Sequence, residues 1–171
     1  MNNPIPETIN AFNVYKDGKQ LIGISEEVQL PDFEQITETL SGPGILGEFE
    51  SASIGHFGSM EIEIPYRTID GVKLHLNAFE SQDLTLRGAI QQTDASGAVD
   101  FVGMRVVVRG KAKKVTGGSL KQGAPMGSSV TLEIIYILIE IDGSVCIELD
   151  KLNCVYKVND VDLLEKVRAL C

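Results

Sequence analysis

The sequence predicts a mainly β protein: an antiparallel β-sandwich or partial barrel with a C-terminal flanking helix and a long glycine-rich loop. Three observations carry this expectation. Strand-like runs recur at short intervals and are separated by turn residues such as Asp17-Gly18, Ser96-Gly97 and Asp142-Gly143. Only one stretch, at the C-terminal end, has the spacing of an amphipathic helix. The stretch from Ser129 to Val158 reads as two long strands joined by Asp142-Gly143, a pair suited to the positive φ angles of a type I′ turn.

Taken in order, residues Met1 to Asn10 read as an N-terminal arm with two prolines and no period. Phe12 to Tyr15 is a short strand, Asp17-Gly18 its turn, and Gln20 to Leu30 the return strand, with Leu21, Ile24 and Val28 as apolar markers and Gly23 at a bulge. Pro31 ends that strand, and Phe33 to Leu40 alternates as another. Ser41 to Ser59 lacks a period and is rich in glycine, with Ile45, Leu46, Phe49, Ile54 and Phe57 scattered through it. Long loops inside compact domains are usually functional, and apolar residues on one suit docking to a neighbour. Met60 to Ile64 alternates cleanly, with Glu61 and Glu63 on the face opposite Ile62. Tyr66 to Ile69 and Val72 to Phe79 form a short pair around Asp70-Gly71, or a helix.

Gln82 to Gln92 points Leu84, Leu86 and Ile90 inward. Val99 to Val115 is a long strand with Val102, Met104, Val106 and Val108 on one face and Arg105, Arg109 and Lys111 on the other. The next arm, Val130 to Ile141, is apolar on both faces at its centre, through Ile134, Ile135, Ile137, Leu138 and Ile139. Such a strand needs cover on a second face, from the closing helix or another subunit. It is too short for a membrane span and is interrupted by Glu133 and Glu140, so no stable membrane insertion is expected of the monomer. The segment 160–170 reads as the closing helix, capped by Asn159 or Asp160, with Leu163, Leu164, Val167 and Leu170 on one face.

The 171 residues suit a single domain, with no internal repeat or linker. A net charge of −9 argues against a protein that grips nucleic-acid phosphates. It is compatible with one that nucleic acid slides past. Cys146, Cys154 and Cys171 show no paired spacing and read as free thiols of a reducing cytoplasm. MNNPIPETIN has neither a basic nor an apolar signal region, so no secretory signal is expected.

Catalytic and cofactor patterns find little support. Gly42-Pro43-Gly44-Ile45-Leu46-Gly47 matches GxGxxG, but no buried strand precedes it and no helix follows, so phosphates would meet no helix N-terminus. The two histidines, His56 and His75, form no metal-ligand pattern, and no nucleophile elbow occurs. Glu61 and Glu63 share a strand face that reads as solvated, and Lys111, Lys113 and Lys114 read as an interaction edge. No cofactor, metal or enzyme activity is expected.

Four stretches together resemble the major tail tube proteins of contractile-tailed bacteriophages and R-type bacteriocins: IPETINAFNVYKDG, VQLPDFEQITETLSGPGILGEFE, LRGAIQQTDASGAVDFVGMRVVVRGKAKKV, with an Arg-Gly near each end, and LDKLNCVYKVNDVDLLEKVRA. Their order and spacing cover nearly the whole chain; the region from Tyr66 to Ser81 has no counterpart. The resemblance implies hexameric rings whose shared strands form an inner barrel, stacked into a rigid hollow tube that sheath contraction drives through the target envelope. The channel would carry DNA, without binding it specifically, or ions. Implied partners are further copies of the chain, the tail sheath protein, a baseplate initiator, a tape-measure protein and a tail terminator. The implied location is the virion tail tube or bacteriocin particle, assembled in the bacterial host cytoplasm. Gly42, Pro43, Gly44, Ile45, Leu46, Phe49, Ile54 and Phe57 would then contact a neighbouring subunit or ring. Glu61, Glu63, Asp83 and Thr85 are candidates for the lumen. Two other readings compete: a lipocalin-like ligand-binding barrel, which needs a deep apolar pocket, and a hydrolase gathering His56 or His75 with a serine and an acid.

Overall fold

A computed structural model describes residues 4–25, 27–71 and 80–171. The expected pair around 72–79, and His75 with it, lie outside the described residues. The strands are β1 (Ile5–Lys16), β2 (Lys19–Gln20), β3 (Gln35–Ser41), β4 (Glu48–Phe57), β5 (Glu61–Tyr66), β6 (Gln82–Thr93), β7 (Val99–Thr116), β8 (Ser128–Ile141), β9 (Ser144–Asp150), β10 (Val155–Val158) and β11 (Val161–Asp162), followed by helix α1 (Glu165–Leu170). Nine of these strands form one antiparallel sheet in the order β11-β10-β9-β8-β7-β6-β1-β2, with β5 attached to β8; β3 and β4 form a separate two-stranded sheet. The mainly β fold class is as the sequence predicts.

The central strand is β8. Its first half pairs with β5 on one edge and its second half with β9, while β7 runs along the other edge. The ladder explains its unbroken apolar run. Arg109 pairs with Tyr136 but Gly110 pairs with Ile134, so Ile135 is an inserted bulge residue. The bulge resets the alternation: Val130, Leu132 and Ile134 before it and Ile137 after it all point into one core, none more than 3% exposed. Gly110 lies opposite this bulge, where a Cβ would stand 2.3 Å from the Glu133 carbonyl oxygen. No residue but glycine fits that approach.

The core joins Val14 of β1, Ile62, Ile64 and Tyr66 of β5, Leu84 and Leu86 of β6, Val106 and Val108 of β7, and Leu149 and Tyr156 of β9 and β10. Strands from distant places in the sheet order share one apolar cluster, which is the partial-barrel character of the fold. The segment after β2 covers this core with Leu21, Ile24, Val28, Leu30 and Phe33.

Several elements depart from expectation. Residues 5–10, read as part of an arm, are strand β1, paired with β6 from Ile5 to Lys16. Two register shifts, between Pro6 and Thr8 and between Ile9 and Ala11, destroy the alternation that would have announced it. The return strand expected to reach Leu30 stops at Gln20, because Gly23 at φ 83° turns the chain away from the ladder. The glycine-rich loop expected over 41–59 is largely strand: Glu48–Phe57 pairs back on β3. The second arm of the Asp142-Gly143 hairpin is broken after Asp150, whose carboxylate accepts the Leu152 and Asn153 amides. The closing helix is shorter than 160–170. Asn159 and Asp160 both take positive φ and turn β10 into β11, and the Asp162 carboxylate accepts the Leu164 amide at 3.0 Å. Asp17-Gly18 and Asp142-Gly143 adopt the expected positive φ at both central residues.

Candidate functional site

The β3–β4 hairpin is the first candidate surface. Among the described residues its strands pair only with each other, and a lone two-stranded hairpin is marginal in water. The base is held: Phe57 meets Phe33 and Tyr156 edge-on at 6.3 and 5.0 Å, Gly55 packs under Leu164, and Lys151 Nζ donates to the Gly58 carbonyl. Beyond the base the hairpin is bare. Leu40 and Phe49 face each other across the ladder and are both exposed, Ile36 and Ile54 are exposed, and Leu46 at the turn is 107% exposed. Gly44 and Gly47 flank Ile45-Leu46 with positive φ, and the Ile45 amide donates to the Gly42 carbonyl across Pro43. Of the eight expected interaction residues, seven thus lie on the projecting part; Phe57 belongs to the anchor.

The second candidate is the polar face of the large sheet. Register places Glu61, Glu63, Asp83 and Thr85 on this one face, through the pairs Glu61–Glu133, Glu133–Lys111 and Arg109–Asp83. Three of the four are hydrogen-bonded. Asp83 accepts Arg109 Nε at 2.8 Å, Glu61 pairs with Lys113, and Glu63 accepts the Ser129 hydroxyl. Arg105–Glu140 at 2.5 Å and Lys157–Glu148 at 2.8 Å continue the pattern. Arg109 also stacks on Tyr136 at 5.2 Å, and Arg87 on Tyr15 at 5.8 Å. The hydrogen bond to Asp83 raises the Arg109 pKa, and burial, then Glu148 beside it, pushes the Tyr136 phenol up. The two Arg-Gly pairs share one logic: each arginine lies on the polar face over a tyrosine, and each glycine turns inward where space is short.

Charge is segregated in a way the net value hides. Of 24 carboxylates, nine lie in residues 20–66, which contain no Lys or Arg; the other 15 are matched by 15 Lys and Arg. The acidic excess therefore belongs to the covering segment, the hairpin and β5, while the ladder around Asp83 is balanced.

The third candidate is the sheet edge. β2 covers β1 only at Tyr15 and Lys16, so the outer edge of β1 from Ile5 to Asn13 carries no strand among the described residues, and Ile5 and Ile9 are exposed on it. Such an edge is a template for pairing with another chain. Sequence reasoning missed it because bulges hid the strand.

Little here suits catalysis or ligand enclosure. His56 is exposed on β4, and the described residues hold no cluster of three metal-ligating side chains. A cleft of about 730 Å³ between residues 29–37 and β5 is open and lined by Asp32, Glu34, Glu61, Glu63 and Lys114, unlike a deep apolar pocket. No helix among the described residues is long and apolar enough to cross a membrane.

Comparison with known proteins places these surfaces in context. The family described as phage tail tube protein FII matches residues 6–170. The sequence is 27% identical to the tail tube protein of Escherichia phage P2, with 96% of each chain aligned. It is 25% identical to the major tail tube protein of Serratia phage KSP20, over 90% of this chain and 88% of that one. In shape, it overlays with a TM-score of 0.55 and 17% identity on a chain from the cryo-EM structure of an extracellular contractile injection system, PVC sheath/tube terminator in the extended state. The overlay spans 79% of this chain and 96% of that one, and at this identity it shows the fold alone.

Proposed function

The chain belongs to the phage tail tube protein FII family, the structural subunits of tail tubes, and from that premise we propose how its copies assemble. Six copies close into a ring, and rings stack into a hollow tube inside a contractile sheath. The observation that carries this reading is the sheet whose β1 edge carries no further strand over most of its length among the described residues, together with a hairpin whose apolar side chains are exposed among them. The free edge of β1 meets the opposite margin of the next copy's sheet, a heterologous contact that closes by rotation. The hairpin contacts a neighbouring subunit or ring through Leu40, Ile45, Leu46, Phe49 and Ile54.

The role is mechanical. The tube is pushed through the target envelope on sheath contraction and offers a channel to DNA or ions. The polar face bearing Glu61, Glu63, Asp83 and Thr85 supplies the candidate lumen. Its ion pairs Asp83–Arg109, Glu61–Lys113 and Glu140–Arg105 occupy cations that phosphates would otherwise grip, and Glu63 adds negative charge, so a polyanion would pass without being held. Sheath protein, baseplate initiator, tape-measure protein and tail terminator are the further partners, and assembly occurs in the host cytoplasm.

Negative-stain microscopy of the purified chain tests the reading. Six-fold rings or tubes of uniform diameter are expected; a monomer that stays dispersed at every concentration would sink it.

A further inference from the structure

We propose that Glu133 is a positioning residue: its carboxylate clamps the connector between β4 and β5 and so fixes, in the isolated chain, the direction in which the β3–β4 hairpin leaves the sheet. Only its bearing on assembly rests on the tube reading above. The hairpin needs such a device. Among the described residues no strand of the large sheet pairs with β3 or β4, so no ladder sets their angle. Phe57 meets Phe33 and Tyr156 edge-on, and apolar packing is less directional than a hydrogen bond. Gly58, just beyond, offers no steric stop, since a Cβ there would meet nothing within 4 Å. The angle is left to the hydrogen bonds of Gly58, Ser59 and Met60. Both legs of the hairpin converge on this connector, because the Gly58 amide donates to the Glu34 carbonyl, one residue before β3, at 3.4 Å.

Glu133 holds the connector from β8. Its Oε2 accepts the Ser59 hydroxyl at 2.7 Å and its Oε1 accepts the Met60 amide at 3.3 Å. The next residue of β8 completes the grip, with the Ile134 amide donating to the Met60 carbonyl at 2.7 Å. Lys151 extends it to Gly58: its Nζ donates to the Gly58 carbonyl at 3.0 Å and stands 3.8 Å from Glu133 Oε1. Each connector residue is thus tied to the sheet through Glu133 or a group beside it. Glu133 itself is held on both sides, paired with Glu61 of β5 and with Lys111 of β7, and its carbonyl lies against Gly110. A side chain on such a central strand positions its partners more firmly than one on a loop.

The clamp also breaks a rule of strand pairing, which marks it as more than a stabilising contact. Glu133 and Glu61 are direct partners in the β5–β8 ladder, and like charges in that relation destabilise a sheet. A second bulge keeps both in place. Ala112 pairs with Leu132 and Lys114 with Thr131, so Lys113 is an inserted residue of β7. Its ammonium pairs with Glu61 and lies 3.7 Å from Glu133 Oε2. A threonine at position 133 would suit the strand and avoid the repulsion, but it offers one oxygen where the carboxylate offers two. The consequence for assembly is pre-organisation: a hairpin already aimed loses less freedom when copies join than one that swings about Gly58.

Two measurements on the full chain decide this. In the first, Cys146→Ser and Cys171→Ser leave the exposed Cys154 for one spin label, and Leu46→Cys carries the other at the hairpin tip. Their separation is read by pulsed electron–electron double resonance in dilute, unassembled chain. One narrow distance peak is expected with Glu133 present, and a broadened or displaced peak with Glu133→Ala. Ser59→Ala combined with Lys151→Met strips donors from the clamp while keeping Glu133, and should broaden the peak in the same way even if Glu133→Ala unfolds. In the second, unlabelled Glu133→Ala is expected to need a concentration about tenfold higher before tubes appear. Peaks as narrow in the variants as with the clamp intact, or a broad peak with the clamp intact, would overturn the clamp and leave the tube reading standing. Broadened peaks with tubes at wild-type concentrations would overturn its part in assembly. A wild-type chain that never forms tubes overturns the tube reading, while the distance peaks still decide the clamp.

Discussion

The two hairpins of this protein, β8–β9 around Asp142-Gly143 and β3–β4 around residues 42–47, have the same local chemistry and opposite fates. β8 is hydrogen-bonded on both edges and buries Leu132 and Ile137 completely. Among the described residues β3 and β4 pair only with each other and leave Leu40, Leu46 and Phe49 exposed. Apolar side chains therefore do two jobs here. In β8 they hold the subunit together. In β3–β4 they stay exposed, and under the proposed assembly they serve contact between copies. Destabilisation of the monomer and loss of assembly should consequently be separable by mutation.

The sharpest test of the first half is Leu132→Ala. The side chain is wholly buried, so unfolding free energy should fall by about 2–5 kcal/mol, read from the urea midpoint. Gly110→Ala follows, since its Cβ would collide with backbone at the bulge; a loss of about 1–3 kcal/mol is expected from the forced backbone shift, without change in the denaturant slope. Gly143→Ala strains a φ of 75° and should cost about 1–2 kcal/mol, whereas Gly143→Asn should recover much of it.

Leu46→Glu tests the other half. Monomer stability should move by no more than about 0.5 kcal/mol, while tubes are lost under the microscope. A Leu46→Glu variant with a strongly lowered urea midpoint would mean that the hairpin tip belongs to the core, and the contrast drawn above would fail.

The smallest effect concerns pH at the closing helix. Arg168 foremost holds the Asp162 carboxyl below its usual range, burial opposing and the Leu164 amide adding to it. A depressed carboxyl contributes stability that is present above the unfolded value of about 3.9 and is lost as pH falls through its folded value. Asp162→Asn should flatten the stability profile below about pH 4 and leave it unchanged at neutral pH apart from a constant offset. A profile with the same acid slope as wild type would remove this ion pair from the account.

Much of the large sheet was legible. The alternation in Met60 to Ile64 and Gln82 to Gln92, and the turns at Asp17-Gly18 and Asp142-Gly143, mark local choices that tertiary structure then respected. The exposure of Ile45, Leu46, Phe49 and Ile54 was legible as well, since apolar side chains among glycines have no periodic core to join. Their secondary structure was not: β4 reads as loop because its apolar residues face neither a common core nor a regular ladder, and its pairing to β3 shifts register between Gln35 and Thr37. The edge strand β1 was hidden for a related reason, two bulges in its first half.

What the sequence by itself determined is the mainly β class, the turn positions, the net negative charge, and the family likeness carried by four ordered stretches. Only the tertiary structure decided where faces change sides. The apolar run of β8 looked two-faced because periodicity assumes one residue per rung. Its first half is buried on both faces, yet Ile134 and Ile137 share one core because Ile135 is extruded as a bulge. Which residue bulges depends on where the partner strand can come close, and that is set by Gly110 on β7, twenty-odd residues away in sequence and in direct contact in space.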